Sequence, residues 1–98
     1  MTTVTINPAL NVLVGADLGR RERDRLKLDQ IDETDEPTVV KIDTSAILSD
    51  FIHALIGPSV RKLGFDGFIA KYQFDATPAV RQNILETAHA LGDRRAAP

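Results

Sequence analysis

Ninety-eight residues, 43 % of them hydrophobic and 27 % charged, make enough chain for one compact domain, too little for two, and too apolar a chain for global disorder. The absence of cysteine excludes a disulfide framework and any thiolate metal site, and it fits a reducing cytoplasm. A net charge of -2 leaves no overall basic field for nucleic acid or anionic lipid, and no apolar run approaches the ~20 residues of a membrane span.

The first ten residues, MTTVTINPAL, lack the basic and long apolar regions of a signal peptide, so the expectation is a cytoplasmic protein of bacterial, archaeal or phage origin. Thr3, Val4, Thr5 and Ile6 alternate, with Val4 and Ile6 on one face, and predict a half-buried strand that Asn7-Pro8 ends. Asn11–Val14 is a short apolar run, read as a second strand, with the entry to a helix as the alternative. Residues 15–28 are rich in helix formers, with Asp17 as candidate N-cap and a thin stripe of Leu18, Arg21, Arg25 and Leu28. Gly19 weakens its first turn.

The acids of DETDEP (32–37) predict a solvated loop. TVVKID (38–43) follows as a central strand with apolar residues on both faces, and Thr44-Ser45 breaks the run. Phe51, Ile52, Leu55, Ile56, Val60 and Leu63 trace one stripe at helical spacing, with Ser49 or Asp50 as cap and Gly64 as stop. A mid-helix proline costs ~3 kcal/mol if uncompensated, so Pro58 predicts a kink over Ala54–Pro58, or else the first position of a second helix. The alternation in FIAKYQF (68–74) predicts a strand at a sheet edge, with Lys71 guarding that edge. Thr77-Pro78 opens a last helix whose buried stripe is Val80, Ile84, Ala88 and Leu91; Gly92 stops it, and residues 93–98 form a frayed tail. The order β-(β)-α-β-α-β-α implies one α/β domain over residues 1–92, with a mixed or mostly parallel sheet of about four strands covered mainly on one face by two or three helices. Val40, Ile42, Phe51, Leu55, Phe68, Tyr72 and Ile84 are its expected core.

The run TVVKIDTSAILSDFIHALIGPSVRKLGFDGF resembles the STAS-like domain family, small prokaryotic relatives of the anti-anti-sigma-factor fold. In that family a strand ending in Asp leads to a Ser-Phe pair, a helix of the form Phe-x-x-Glu-Leu-x-Gly, and then Leu-Gly-Phe. Asp43 ends the strand here; Phe51, Leu55 and Gly57 match the helix; Leu63, Gly64 and Phe65 match its end. LGRRERDRLKLDQI also fits the weak helix before the central strand, so the likeness spans residues 13–91. Two positions depart: Asp50 stands where the family has serine, and Ala54 where it has glutamate, with Ser49 one place early. In STAS domains proper a partner kinase phosphorylates the serine at this helix start. The resemblance therefore implies a non-enzymatic regulatory module whose partner is another protein, such as a sensor-type ATPase or kinase-like regulator, or a second copy of itself.

Candidate site residues fall in two groups. Ser49 and Asp50 stand at a helix start, where negative charge is favoured by the dipole and the free N–H groups; the alternatives are a switch and a plain cap worth ~1 kcal/mol. His53, one turn on from Asp50, completes that group, but no third catalytic partner is identifiable. Arg20, Arg21, Arg23 and Arg25, with Lys27, form the one cation cluster, interleaved with Asp17, Glu22, Asp24 and Asp29 as in a solvated helix face. It supports a rival reading, a nucleic-acid-associated protein using residues 17–28; a third reading, a small phage-type inhibitor, would bind its target through the same surfaces as an interaction module. No GxGxxG, P-loop or metal-ligand spacing is present, so no cofactor is expected.

Overall fold

The computed structural model describes residues 1–44 and 46–96, the last four by backbone alone. Strand β1 (Thr2–Thr5) leads to helices α1 (Ala16–Leu26) and α2 (Leu28–Asp32); β2 (Thr38–Lys41), α3 (Ser49–Lys71), β3 (Tyr72–Asp75) and α4 (Pro78–Ala96) follow. The three strands form a parallel sheet in the order β1-β2-β3. Thr2 lies opposite Thr38 and Thr38 opposite Tyr72, so the strands start level.

Parallel neighbours need a crossover between them, and crossovers in α/β sheets are right-handed almost without exception. Three strands added in one direction therefore carry all their helices on the same face. Burial follows that rule. Ile6, Thr38, Val40, Ile42, Tyr72 and Phe74 are buried on the helical side, while Thr3, Thr5, Lys41, Gln73 and Asp75 are exposed on the other. Val39, read as the second buried face of a central strand, is only half-buried because no layer covers that side.

The expected core is buried throughout, from Val40 and Ile42 through Phe51, Leu55, Phe68 and Tyr72 to Ile84. The α4 stripe of Val80, Ile84, Ala88 and Leu91 is buried as its spacing predicts. Thr77 Oγ1 accepts the Val80 amide at 3.3 Å, with Pro78 in the first helical position.

Several elements differ from the sequence reading. The fourth strand reduces to a single parallel bridge between Leu13 and Ile47. Residues 68–71 are helical, so the predicted strand 68–74 shortens to Tyr72–Asp75. Its partner β2 begins only after Pro37, and Thr38 is already opposite Tyr72, which leaves residues 68–71 nothing to pair with. The Phe68 ring instead stacks on Tyr72 one turn on, with centroids 5.2 Å apart.

Pro58 does not break α3. The one non-helical residue is Gly64, at φ 77 and ψ 166, a conformation open mainly to glycine. Helix resumes at Phe65, so Gly64 ends one helical run without ending the element. Helix α4 likewise passes Gly92 and runs to Ala96. A Cβ on Gly92 would lie 2.7 Å from Phe65 Cβ, so this glycine serves close packing rather than termination. Part of the expected tail is therefore helical in backbone, while Ala97 and Pro98, like Ser45 of the Thr44-Ser45 break, lie outside the described residues.

Candidate functional site

The start of α3 is set by the Leu13–Ile47 bridge. Leu13 N–H donates to Ala46 O at 2.8 Å and Leu48 N–H to Leu13 O at 2.9 Å, which keeps the chain extended through Leu48. Leu48 is thus the N-cap residue, and its side chain supplies no cap bond. Ser49 and Asp50, the predicted caps, lie instead inside the first turn, both exposed. The Asp50 carboxylate still meets an orphan helix donor, accepting the Phe51 amide at 2.8 Å. It also accepts the Gly15 amide at 3.1 Å and so ties the start of α1 to the start of α3. His53 is exposed one turn later, and no hydrogen bond or ion pair joins it to Asp50.

Around this start stand exposed apolar side chains. Leu48 is 52 % exposed, Val12 49 % and Val14 44 %. Side chains alternate along extended backbone, so Val12 and Val14 project opposite to buried Leu13, as Leu48 does opposite to buried Ile47. The bridge thereby shows an apolar outer face beside the Ser49–Asp50 turn.

The arginine cluster does not stay together. Helix α1 begins at Ala16 after Gly15, so Asp17 is not its N-cap; it pairs with Arg20 in the first turn. Arg20 and Arg21 are exposed. Arg23 is buried, and Arg25 folds back on Glu22. The buried side of α1 is Gly19, Glu22, Arg23 and Leu26, not the stripe through Arg21 and Arg25. Gly19 explains the rotation. A Cβ there would lie 2.6 Å from Phe51 O and 2.7 Å from Ala54 Cβ, so the glycine lets α1 and α3 meet backbone to backbone.

Two charged clusters follow from that close crossing. Lys27, in left-handed geometry at φ 59, closes α1 and opens α2, and Asp29 and Asp32 on α2 then meet Arg23. Arg23 donates to Asp29 Oδ1 at 2.6 Å, Asp32 Oδ2 at 2.9 Å, and Ser59 Oγ and Leu55 O at 2.8 Å each. Ser59 Oγ lies 2.7 Å from Asp32 Oδ2, and Tyr72 donates its hydroxyl to Asp32 Oδ1 at 2.5 Å. The Arg23 and Asp32 side chains are 5 % and 1 % exposed. Burial first, and then the Asp32 carboxylate beside it, raises the Tyr72 phenol well above its usual range. In the second cluster Arg25 chelates Glu22 through Nε at 3.0 Å and Nη2 at 2.8 Å and reaches Thr5 O at 2.8 Å. Glu22 also accepts the Asn7 amide at 2.8 Å. The bond from Arg25 is the largest influence holding the Glu22 carboxyl below the ordinary range, and Glu22 in turn raises Arg25.

Sequence reasoning missed Asp32 and Ser59 as partners of Arg23, and Tyr72 as a partner of Asp32. Asp32 was placed in a solvated loop, yet it is buried at the end of α2. The available signal was an arginine and an acid nine residues apart, too common a pattern to single out. Chemically these buried groups are ligands to one another: among the described residues no buried side-chain polar atom lacks a partner.

The carboxyl ends of the strands hold a shallow cavity of about 340 Å³ lined by Thr5, Pro8, Lys41, Ile42, Asp43 and Asp75. Open α/β sheets bind ligands where the strand order reverses. The order β1-β2-β3 has no reversal, and the six residues converge on no enclosed crevice. Among the described residues no group of three or more metal-ligating side chains is gathered, and no helix is long and apolar enough to cross a membrane. Comparison with protein-family models, with curated proteins and with solved structures found no match.

Proposed function

We propose that this chain is a non-enzymatic, STAS-like interaction module that regulates by binding a partner protein. The observation that carries the reading is the exposed apolar face of Val12, Val14 and Leu48 beside the Ser49–Asp50 turn. Scattered surface apolar residues are ordinary, but these three share one bridge and border the helix start where the resemblance puts regulation. Apolar centres with a polar rim are the usual anatomy of protein interfaces, and the exposed Asp50 and His53 supply such a rim. Asp50 places a carboxylate where a serine would offer one acidic group only once phosphorylated. A sensor-type ATPase or kinase-like regulator is the partner the resemblance implies.

The nucleic-acid reading draws less support. Arg23 is buried and Arg25 is committed to Glu22 and Thr5 O, which leaves Arg20 and Arg21 as the outward arginines of that helix, one already paired with Asp17.

Capture of partners from native-host lysate by the wild type and by Val14→Ser/Leu48→Ser tests the reading. The double variant is expected to fold and to lose the captured protein, at salt concentrations where the wild type retains it. Equal capture by both chains, or capture that collapses as salt rises in the manner of phosphate contacts, would overturn it.

A further inference from the structure

The outer edge of β3 has features that the partner-binding reading does not use. Ile42 N–H donates to Asp75 O at 2.9 Å, so the Asp75 carbonyl faces β2. Backbone groups alternate along a strand, and Phe74 and Ala76 therefore turn theirs away from the sheet. No strand pairs there: β3 is last in the order. Arg81 of α4 reaches across instead. Its Nε donates to Phe74 O at 3.2 Å and its Nη2 to Ala76 O at 3.3 Å. The sequence reading assigned the guard of this edge to Lys71, but Lys71 Nζ donates to Thr34 O at 2.5 Å and Glu36 O at 3.0 Å in the loop before β2. Beside the edge runs a groove of about 340 Å³ lined by Ile69, Tyr72, Gln73, Phe74, Arg81 and Leu85. Ile69 is 40 % exposed.

We propose that this edge is a docking site for an extended, carboxylate-bearing peptide segment of another protein, which adds as a strand along β3. Three observations converge. The backbone edge is unpaired by any strand, the groove offers Ile69, Phe74 and Leu85 to an apolar side chain, and Arg81 is its one charged lining residue. Among the described residues no carboxylate pairs with Arg81. A guanidinium has five donors, and the two bonds to Phe74 and Ala76 leave the others for a carboxylate. An incoming acid draws Arg81 off the two carbonyls, and the incoming amides take its place. Main-chain bonds supply register, and the groove takes one apolar side chain. A second copy of this chain fits less well. Antiparallel pairing centred on Gln73 would set Asp75 against Lys71 of the second copy, and that cation is already held by Thr34 and Glu36.

The test is a titration of isotope-labelled protein with the peptide acetyl-Thr-Val-Glu-Val-Thr-amide and with its twin carrying lysine for glutamate, each to about 1 mM, the range of weak strand additions. The glutamate peptide is expected to shift the amide signals of Phe74 and Ala76 and the Nε signal of Arg81. The lysine twin, and the glutamate peptide on Arg81→Gln, should bind at least about tenfold more weakly, the scale of a lost charge-assisted bond. The twin requires no variant, so the comparison stands even if Arg81→Gln folds poorly. Silence of those signals, equal binding of the two peptides, shifts confined to other surfaces, or self-association through β3 without peptide would each overturn the proposal. Val14→Ser/Leu48→Ser should bind the peptide as the wild type does, so failure here is separable from failure of the partner-binding reading.

Discussion

The crossing of α1 and α2 over α3 and the bridge beside the α3 start are opposites. The crossing buries an arginine, two carboxylates, a serine and a tyrosine hydroxyl, while the bridge a few residues away exposes two valines and a leucine. Residue character alone would place the two groups the other way round. Charges can be inside because every one has partners: Arg23 has four acceptors, in Leu55 O, Ser59, Asp32 and the solvent-facing Asp29, and Asp32 takes bonds from three residues. Apolar groups can be outside because the bridge needs only one of its faces for the core. Pairing, not hydrophobicity, decides the first region, and backbone alternation decides the second.

The largest effect should come from breaking the pairing. Asp32→Ala strands a buried guanidinium and a buried phenol, and is expected to lower stability by about 3–5 kcal/mol, read from the denaturant midpoint. Asp29→Ala, which removes the solvent-facing partner of the same arginine, should cost about 0–1 kcal/mol. Similar losses from the two would mean that the network is not buried as a unit.

Leu55→Ala opens a cavity under the same crossing and should cost about 2–5 kcal/mol. Gly19→Ala puts a methyl where Phe51 O and Ala54 stand and should cost about 1–3 kcal/mol through overpacking, although alanine favours helix more than glycine does. A stabilising Gly19→Ala would show that α1 and α3 lie further apart.

The two clusters also predict a pH profile. Glu22 titrates below its unfolded value of 4.5, so its contribution is present above about that pH and fades as pH falls through the lower folded value. Tyr72 titrates above its unfolded value of 10.0, so its contribution is full below that pH and is lost as pH rises through the raised folded value. Midpoints measured against pH should fall at both ends, with Glu22→Gln flattening the acid limb and Tyr72→Phe the alkaline one.

The smallest effect belongs to the exposed region. Leu48→Ser should leave stability within about 0.5 kcal/mol of wild type, because nothing buried is disturbed. Asp50→Ser should also change little, losing the bonds to Phe51 and Gly15 but at an exposed site where charge near a helix start is worth about 0.3–1 kcal/mol. A large loss from Leu48→Ser would mean that the bridge face is structural and not free for a partner.

The periodic parts of this chain were legible. The stripes Phe51–Val60 and Val80–Leu91 and the Thr77-Pro78 start follow from spacing and local chemistry within one turn. Periodicity misled where long-range pairing decides, and it is silent on which charges are buried. Alternation over residues 68–74 fitted a strand, yet the pairing partner begins too late to use the first half of it. Of the candidate site, Ser49, Asp50 and His53 are exposed together on one helix start, whereas the arginines divide between surface and core. Nothing along α1 marks Arg23 for the inside, since its acceptors come from α2, Leu55 and Ser59.

The sequence by itself determined that strands and helices alternate, and hence a mixed or mostly parallel sheet with its helices mainly on one face, because short-range periodicity and crossover handedness are properties of the chain as a line. The tertiary structure alone decided which charges are buried, where α3 is interrupted and which strand edge stays open. Those outcomes depend on what approaches from far along the chain: Ala54 against Gly19, Asp32 against Arg23, Pro37 setting where β2 can begin, and Arg81 closing over Phe74.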